Sequence, residues 1–176
     1  PSTTLFRSRH AAEGWAEILL LAERLGPEPA MVPADPEERA LGFGLAHEIL
    51  GEMGLVWCRR LVGLAPAQAE RPDDPTVAAF TRRYGSSPAE TRTAARRVEE
   101  VRDLLARQLR RQPEAGRECL VGEALSAVDL YWAVSANLFA PRPPDELRIP
   151  EATRQAIVEQ AEPFRDALDP ILLEHQ

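Results

Sequence analysis

The chain is 176 residues long with a mass of 19.5 kDa, enough to bury one substantial core and close to the size of a single domain. Hydrophobic residues make up 44% and charged residues 28%, an ordinary globular balance, and no apolar run approaches the roughly 20 residues that a membrane-spanning helix needs. A net charge of -7 and a pI near 5.1 oppose general attraction to nucleic acid or anionic lipid, so neither is expected as a partner. All the positive charge is arginine, which, with abundant Ala and 16 Pro, points to a GC-rich coding sequence. Cys58 and Cys119 have no C-x-x-C spacing, and His10, His47 and His175 lie in unrelated segments. Neither a disulfide framework nor a metal site is expected, and a reducing cytoplasm is the default setting.

Residues 1–10 begin without Met, apolar h-region or periodicity and read as a non-native leader. From there apolar residues recur at helical spacing and alternating stretches are nearly absent, so the class is all-α. Trp15, Ile18, Leu19, Ala22 and Leu25 share one face of a first helix that Gly26-Pro27 ends. A linker with Pro29 and Pro33 follows, and Asp35-Pro36-Glu37-Glu38 is the next start signal, with an acidic cap and Pro at the first helical position.

The spacing predicts one long helix from Pro36 to about Val62, with Leu41, Leu45, Ile49, Met53, Val56 and Trp57 as its apolar stripe. Gly42, Gly44, Gly51 and Gly54 interrupt it, each costing about 1 kcal/mol relative to Ala. Gly44, His47, Gly51, Gly54 and Cys58 form a second stripe that fits close helix packing, a kink, or the wall of a shallow cleft. Pro66 to Asp74 reads as a loop, Pro75 to Tyr84 as a short helix stopped by Gly85, and Ser87-Pro88 as the start of an amphipathic helix reaching about Arg111. The arginines of that last stretch, Arg102 among them, are interleaved with acids and read as a solvated face.

After a polar turn at 112–117, Ser126 and Asp129 are spaced as a capping box, with Leu125 and Leu130 as the flanking staple. The helix they open, 127–139, is apolar almost all round and is expected at the centre of a bundle, with Trp132 and Trp57 in the core. Prolines at 141, 143 and 144 stop it. Helices are predicted from Pro150 to about Ala161 and, after Pro163, from Phe164 to Leu173. The sequence stops straight after that apolar run, which leaves a longer natural chain open at this end.

The pattern of an apolar pair, a Gly, then Leu125-Ser126-x-x-Asp129-Leu130 opening an apolar helix resembles the buried helix of the C-terminal domain of bacterial glutathione transferases. Residues 13–25 followed by Met31-Val32-Pro33-Ala34-Asp35-Pro36 resemble the last helix of that family's thioredoxin-like domain and the linker out of it. The resemblance implies that residues 11–34 are the remnant of a truncated thioredoxin-like domain and that residues 35–176 form the helical domain. It also implies glutathione as co-substrate, a small hydrophobic electrophile as second substrate, and a homodimer. Glu13 falls at the acidic position that holds the γ-glutamyl end of glutathione, and Gly14 stands where the family has Ser. A helix N-terminus suits that task, since its free amides and positive dipole end receive a carboxylate.

His47, Glu48, Gly51, Glu52 and Leu55 fall where the family places its electrophile pocket, although the same acids and His47 also fit a solvent face or a dimer contact. The family's thiol-activating Tyr, Ser or Cys corresponds to positions before Glu13, so no catalytic residue is assigned. The expectation is a glutathione transferase fragment, inactive alone. A transferase-like binding or interaction module without chemistry is the alternative.

Overall fold

A computed structural model describes residues 13–85, 87–114, 116–162, 164 and 168–176. Among these residues all regular structure is helical: α1 (Trp15–Leu25), α2 (Pro36–Leu50), α3 (Leu55–Glu70), α4 (Pro75–Tyr84), α5 (Pro88–Glu114), α6 (Ala127–Ala136), α7 (Glu151–Ala161) and α8 (Pro170–Glu174). The leader at 1–10, the break at Pro163 and residues 165–167 of the last expected helix lie outside the described residues.

The helix starts follow from their caps. Asp35 accepts from the amides of Glu37 and Glu38 at 3.0 and 2.9 Å, and Asp74 accepts from those of Thr76 and Val77 at 2.8 and 3.2 Å. Asp169 opens α8 in the same way, and each of the three is followed by Pro at the first helical position. Gly85 ends α4 with a φ of 62°, which suits a residue without Cβ.

The single helix expected from Pro36 to Val62 is two helices. A Cβ on Gly51 would stand 2.5 Å from the His47 ring and 2.6 Å from its carbonyl oxygen, and one on Gly54 would meet three carbonyl oxygens at 2.8–2.9 Å. Only glycine lets the chain fold back so closely, and Met53 between them takes a φ of 57°. The glycines therefore make a sharp corner. Other boundaries also differ from expectation: α5 runs on to Glu114, into the turn expected at 112–117, and the last helix opens at Pro170 instead of Phe164. Helix α3 continues through Pro66 to Glu70, because packing along α5 outweighs the ladder hydrogen bond that Pro removes. Helix α6 stops at Ala136, and residues 137–139 form a turn.

The core lies between α3 and α5, the most extensive helix contact, with α2 and α6 packed on each other, α4 against α3 and α8 against α5. Ile49, Leu55, Leu61, Val98, Val101, Leu105, Trp132 and Leu172 are fully buried there. Trp132 is core as expected, whereas Trp57 is half-buried with its ring edge-on to Tyr84 at 4.9 Å.

Helix α6 is buried on one side only. Val134 is 73% and Leu130 45% exposed, so the staple pair Leu125 and Leu130 lies at the surface. The outer apolar positions of α1 and α2 are also uncovered: Ile18, Leu25 and Leu41 are exposed, and α1 contains no buried residue. The largest correction concerns Arg102, which is buried inside the bundle beside Arg59 instead of lying on the solvated face of α5.

Candidate functional site

The most highly connected polar centre is the carboxylate of Asp129. Its Oδ2 accepts from the Ser126 amide at 2.9 Å and the Ser126 hydroxyl at 2.7 Å, while Oδ1 accepts from the Leu120 amide at 2.7 Å and lies 2.9 Å from His175 Nε2. Burial alone would raise this carboxyl, but His175, the Leu120 amide and both Ser126 donors together hold it below the usual carboxylate range. The capping box is thus in place, and its short bonds all run to the acid. Leu120 and Val121 precede Gly122, whose φ of 70° turns the chain, so the loop folds over the helix start.

The same helix start clasps the linker. The Ala127 amide, one of the unpaired donors of the first turn, bonds to the Met31 carbonyl at 2.8 Å, and the Met31 amide bonds to Glu23 Oε1 of α1 at 2.9 Å. Leu19, Met31, Val32, Phe43, Ala46 and Val128 line a narrow apolar crevice between linker, α1, α2 and α6. Trp15 anchors α1 over it, with its ring 5.9 Å from Phe43, 6.5 Å from His47 and 6.2 Å from Tyr131.

At the N-terminus of α1, Glu13 and Gly14 are exposed, and the Glu13 amide already donates to Glu17 Oε2 at 3.1 Å. Gly14 caps the helix without a side chain, and a Cβ there would meet nothing within 4 Å. The residues expected to line an electrophile pocket are only partly brought together. His47 and Glu52 are exposed, Glu48 is held in an ion pair by Arg97, Gly51 is the corner residue, and Leu55 is wholly buried. Glu48 and His47 therefore face the surface near the corner, while Leu55 belongs to the core beneath it.

Burial pushes the Cys58 thiol up to about 11, with its Sγ 3.2 Å from the Met53 carbonyl oxygen, and burial also raises Cys119 and Tyr131. Among the described residues no group of three or more His, Cys, Asp or Glu side chains is placed to hold a metal, and no helix is long and apolar enough to cross a membrane.

Two further features escape sequence reading. A cavity of about 530 Å³ is bounded by Leu109, Pro113, Arg117, Glu118, Ile171 and His175, next to the Asp129 centre. The buried pair Arg59 and Arg102 was masked by helical patterns in which each arginine has polar neighbours. The only signal for it is that Arg59 falls among Cys58 and Leu61 on the buried side of α3. No family model, curated protein or solved structure matches the chain.

Proposed function

We propose that the chain is the helical C-terminal part of a glutathione transferase homologue, preceded by the last helix of its thioredoxin-like domain. The observation that carries this reading is the capped start of α6. Asp129 holds Ser126 and the 120–122 loop, and the first free amide of the helix holds the linker from α1. The order of helix, proline-containing linker, Asp-capped helix and apolar capped helix supports it. So does α1, whose exposed Ile18 and Leu25 would be covered by the remainder of a thioredoxin-like domain.

In this reading the parent is a cytoplasmic bacterial homodimer that adds the glutathione thiolate to a small hydrophobic electrophile. The electrophile pocket is formed on the side of His47, Glu48, Gly51 and Glu52. Glu13 and the α1 N-terminus receive the γ-glutamyl end of glutathione, and thiol activation belongs to a preceding domain. The alternative of a non-catalytic module rests on two observations: Gly14 offers no hydroxyl, and Glu17 already occupies the Glu13 amide.

Calorimetric titration with glutathione tests the reading. Gly14→Ser restores a hydroxyl into open space and is expected to tighten millimolar binding about tenfold. Absence of binding in both proteins at 10-fold excess over the millimolar range would count against glutathione as the ligand. The 176-residue chain is expected to leave a chloronitrobenzene electrophile unconjugated in the presence of glutathione, since in this reading the donor that holds the glutathione sulfur as thiolate belongs to the preceding domain. Turnover by the purified chain would overturn the assignment of thiol activation to another domain.

A further inference from the structure

Helices α3 and α4 carry no acidic residue from Leu55 to Ala69 or from Pro75 to Tyr84, yet they expose Arg60, Arg82 and Arg83. In a chain of net charge -7 this face is an island of positive charge. The acids nearest in sequence, Glu52, Glu70, Asp73, Asp74 and Glu90, stand at or beyond the helix ends.

The island is built around rings. Helix α4 is seated on α3 through buried Val77 and through the Gln68 side-chain amide, which donates to the Thr81 hydroxyl at 2.7 Å. Phe80 stays 45% exposed, with its ring parallel to that of Tyr84 within 8° and the centroids 5.9 Å apart. Trp57 meets Tyr84 edge-on at 4.9 Å, and Arg60 Nη1 donates to the Tyr84 hydroxyl at 3.1 Å. The guanidinium groups of Arg60 and Arg83 lie 5.7 and 5.9 Å from the centre of the Tyr84 ring. Rings and cations hold one another in place, so a partner docking on them orders few further side chains.

Two properties select the occupant. The open Phe80 ring needs an apolar side chain laid on it, and the arginine forks beside it match carboxylates. Tyr, Trp and Arg are also the residue types that dominate binding energy at protein interfaces. A nucleic acid would run its phosphates past the bordering acids, which a short peptide avoids. We propose that the face formed by Trp57, Arg60, Phe80, Arg83 and Tyr84 docks an acidic peptide segment of a partner protein, with an apolar side chain on Phe80 and carboxylates at Arg60 and Arg83. The surface is independent of the glutathione reading, which places its ligands at α1 and beside His47.

Fluorescence anisotropy of the chain with a dye-labelled glutamate dodecapeptide carrying two central leucines tests it. The comparison probes replace leucine by alanine, replace glutamate by lysine, or substitute a thymidine dodecanucleotide. The acidic leucine peptide is expected to bind with a Kd of about 100 μM or tighter, the alanine peptide at least about fivefold more weakly, and the lysine peptide not at all. Phe80→Ala and Arg83→Glu should each weaken binding about tenfold. Arg92→Glu, the same charge change at an exposed position of α5, should weaken it less than about twofold. If Phe80→Ala does not fold, Arg83→Glu alone decides. No binding by the wild-type chain, equal binding of the alanine peptide, equal losses in Arg83→Glu and Arg92→Glu, or tighter binding of the oligonucleotide would each overturn the proposal. So would a wild-type dimer in sedimentation that Phe80→Ala or Arg83→Glu dissociates, because the face would then belong to a second copy of the chain.

Discussion

At the scale of single residues, Ser126 and Asp129 share a motif but not a burden. The hydroxyl makes one bond to the carboxylate, whereas the carboxylate serves Ser126, Leu120 and His175 while 3% exposed. Ser126→Ala is expected to cost about 1 kcal/mol, and Asp129→Ala about 3 kcal/mol because it strands buried amides, both read from urea unfolding. Equal losses would show that the acid is no more than a cap. Because the folded state holds Asp129 below the usual range, its contribution is fully present above about pH 4 and is lost as pH falls through the lowered value. Stability measured from pH 5 to 2 should therefore fall less steeply in Asp129→Asn than in the wild-type chain.

At the scale of elements, the glycines of the α2–α3 stretch divide by what surrounds them. Gly44 is exposed in a helix interior, with nothing within 4 Å of a Cβ, so Gly44→Ala should stabilise by about 1 kcal/mol. Gly54 faces three carbonyl oxygens closer than 3.0 Å, so Gly54→Ala should destabilise by about 2 kcal/mol or more, measured by the same unfolding. Gains in both would mean that the corner is not rigid. Helix starts at Pro36, Pro75 and Ala127 were legible, because caps act within four residues of themselves. The corner at 51–54 was not, since a glycine pair reads identically whether it kinks a helix, ends it, or lines a cleft. Nor was the continuation of α3 through Pro66, which depends on the partner helix.

At the scale of the whole molecule, the C-terminal segment closes the bundle. Leu172 is fully buried, its carbonyl accepts from Trp132 Nε1 at 3.0 Å, His175 reaches Asp129, and Gln176 Nε2 donates to the Ala140 carbonyl at 3.2 Å. Leu172→Ala is expected to cost about 3 kcal/mol, checked by urea unfolding, and a loss under 1 kcal/mol would mean that α8 is not integral to the core. Helix α1 is the opposite case. It buries no residue and is held by Trp15 and the linker, so hydrogen exchange should be fastest there among the helices longer than ten residues.

The sequence by itself determined the helical class, the placement of most helices and the capped start of α6, because periodicity and caps are local properties of the chain. Tertiary structure alone decided which faces meet. It exposed Leu130 and Val134, turned two glycines into a corner, brought His175 to Asp129 across 46 positions, and buried two arginines against Phe139 and Phe164. Burial and charge pairing depend on elements distant in sequence, and no local pattern records which of them arrives.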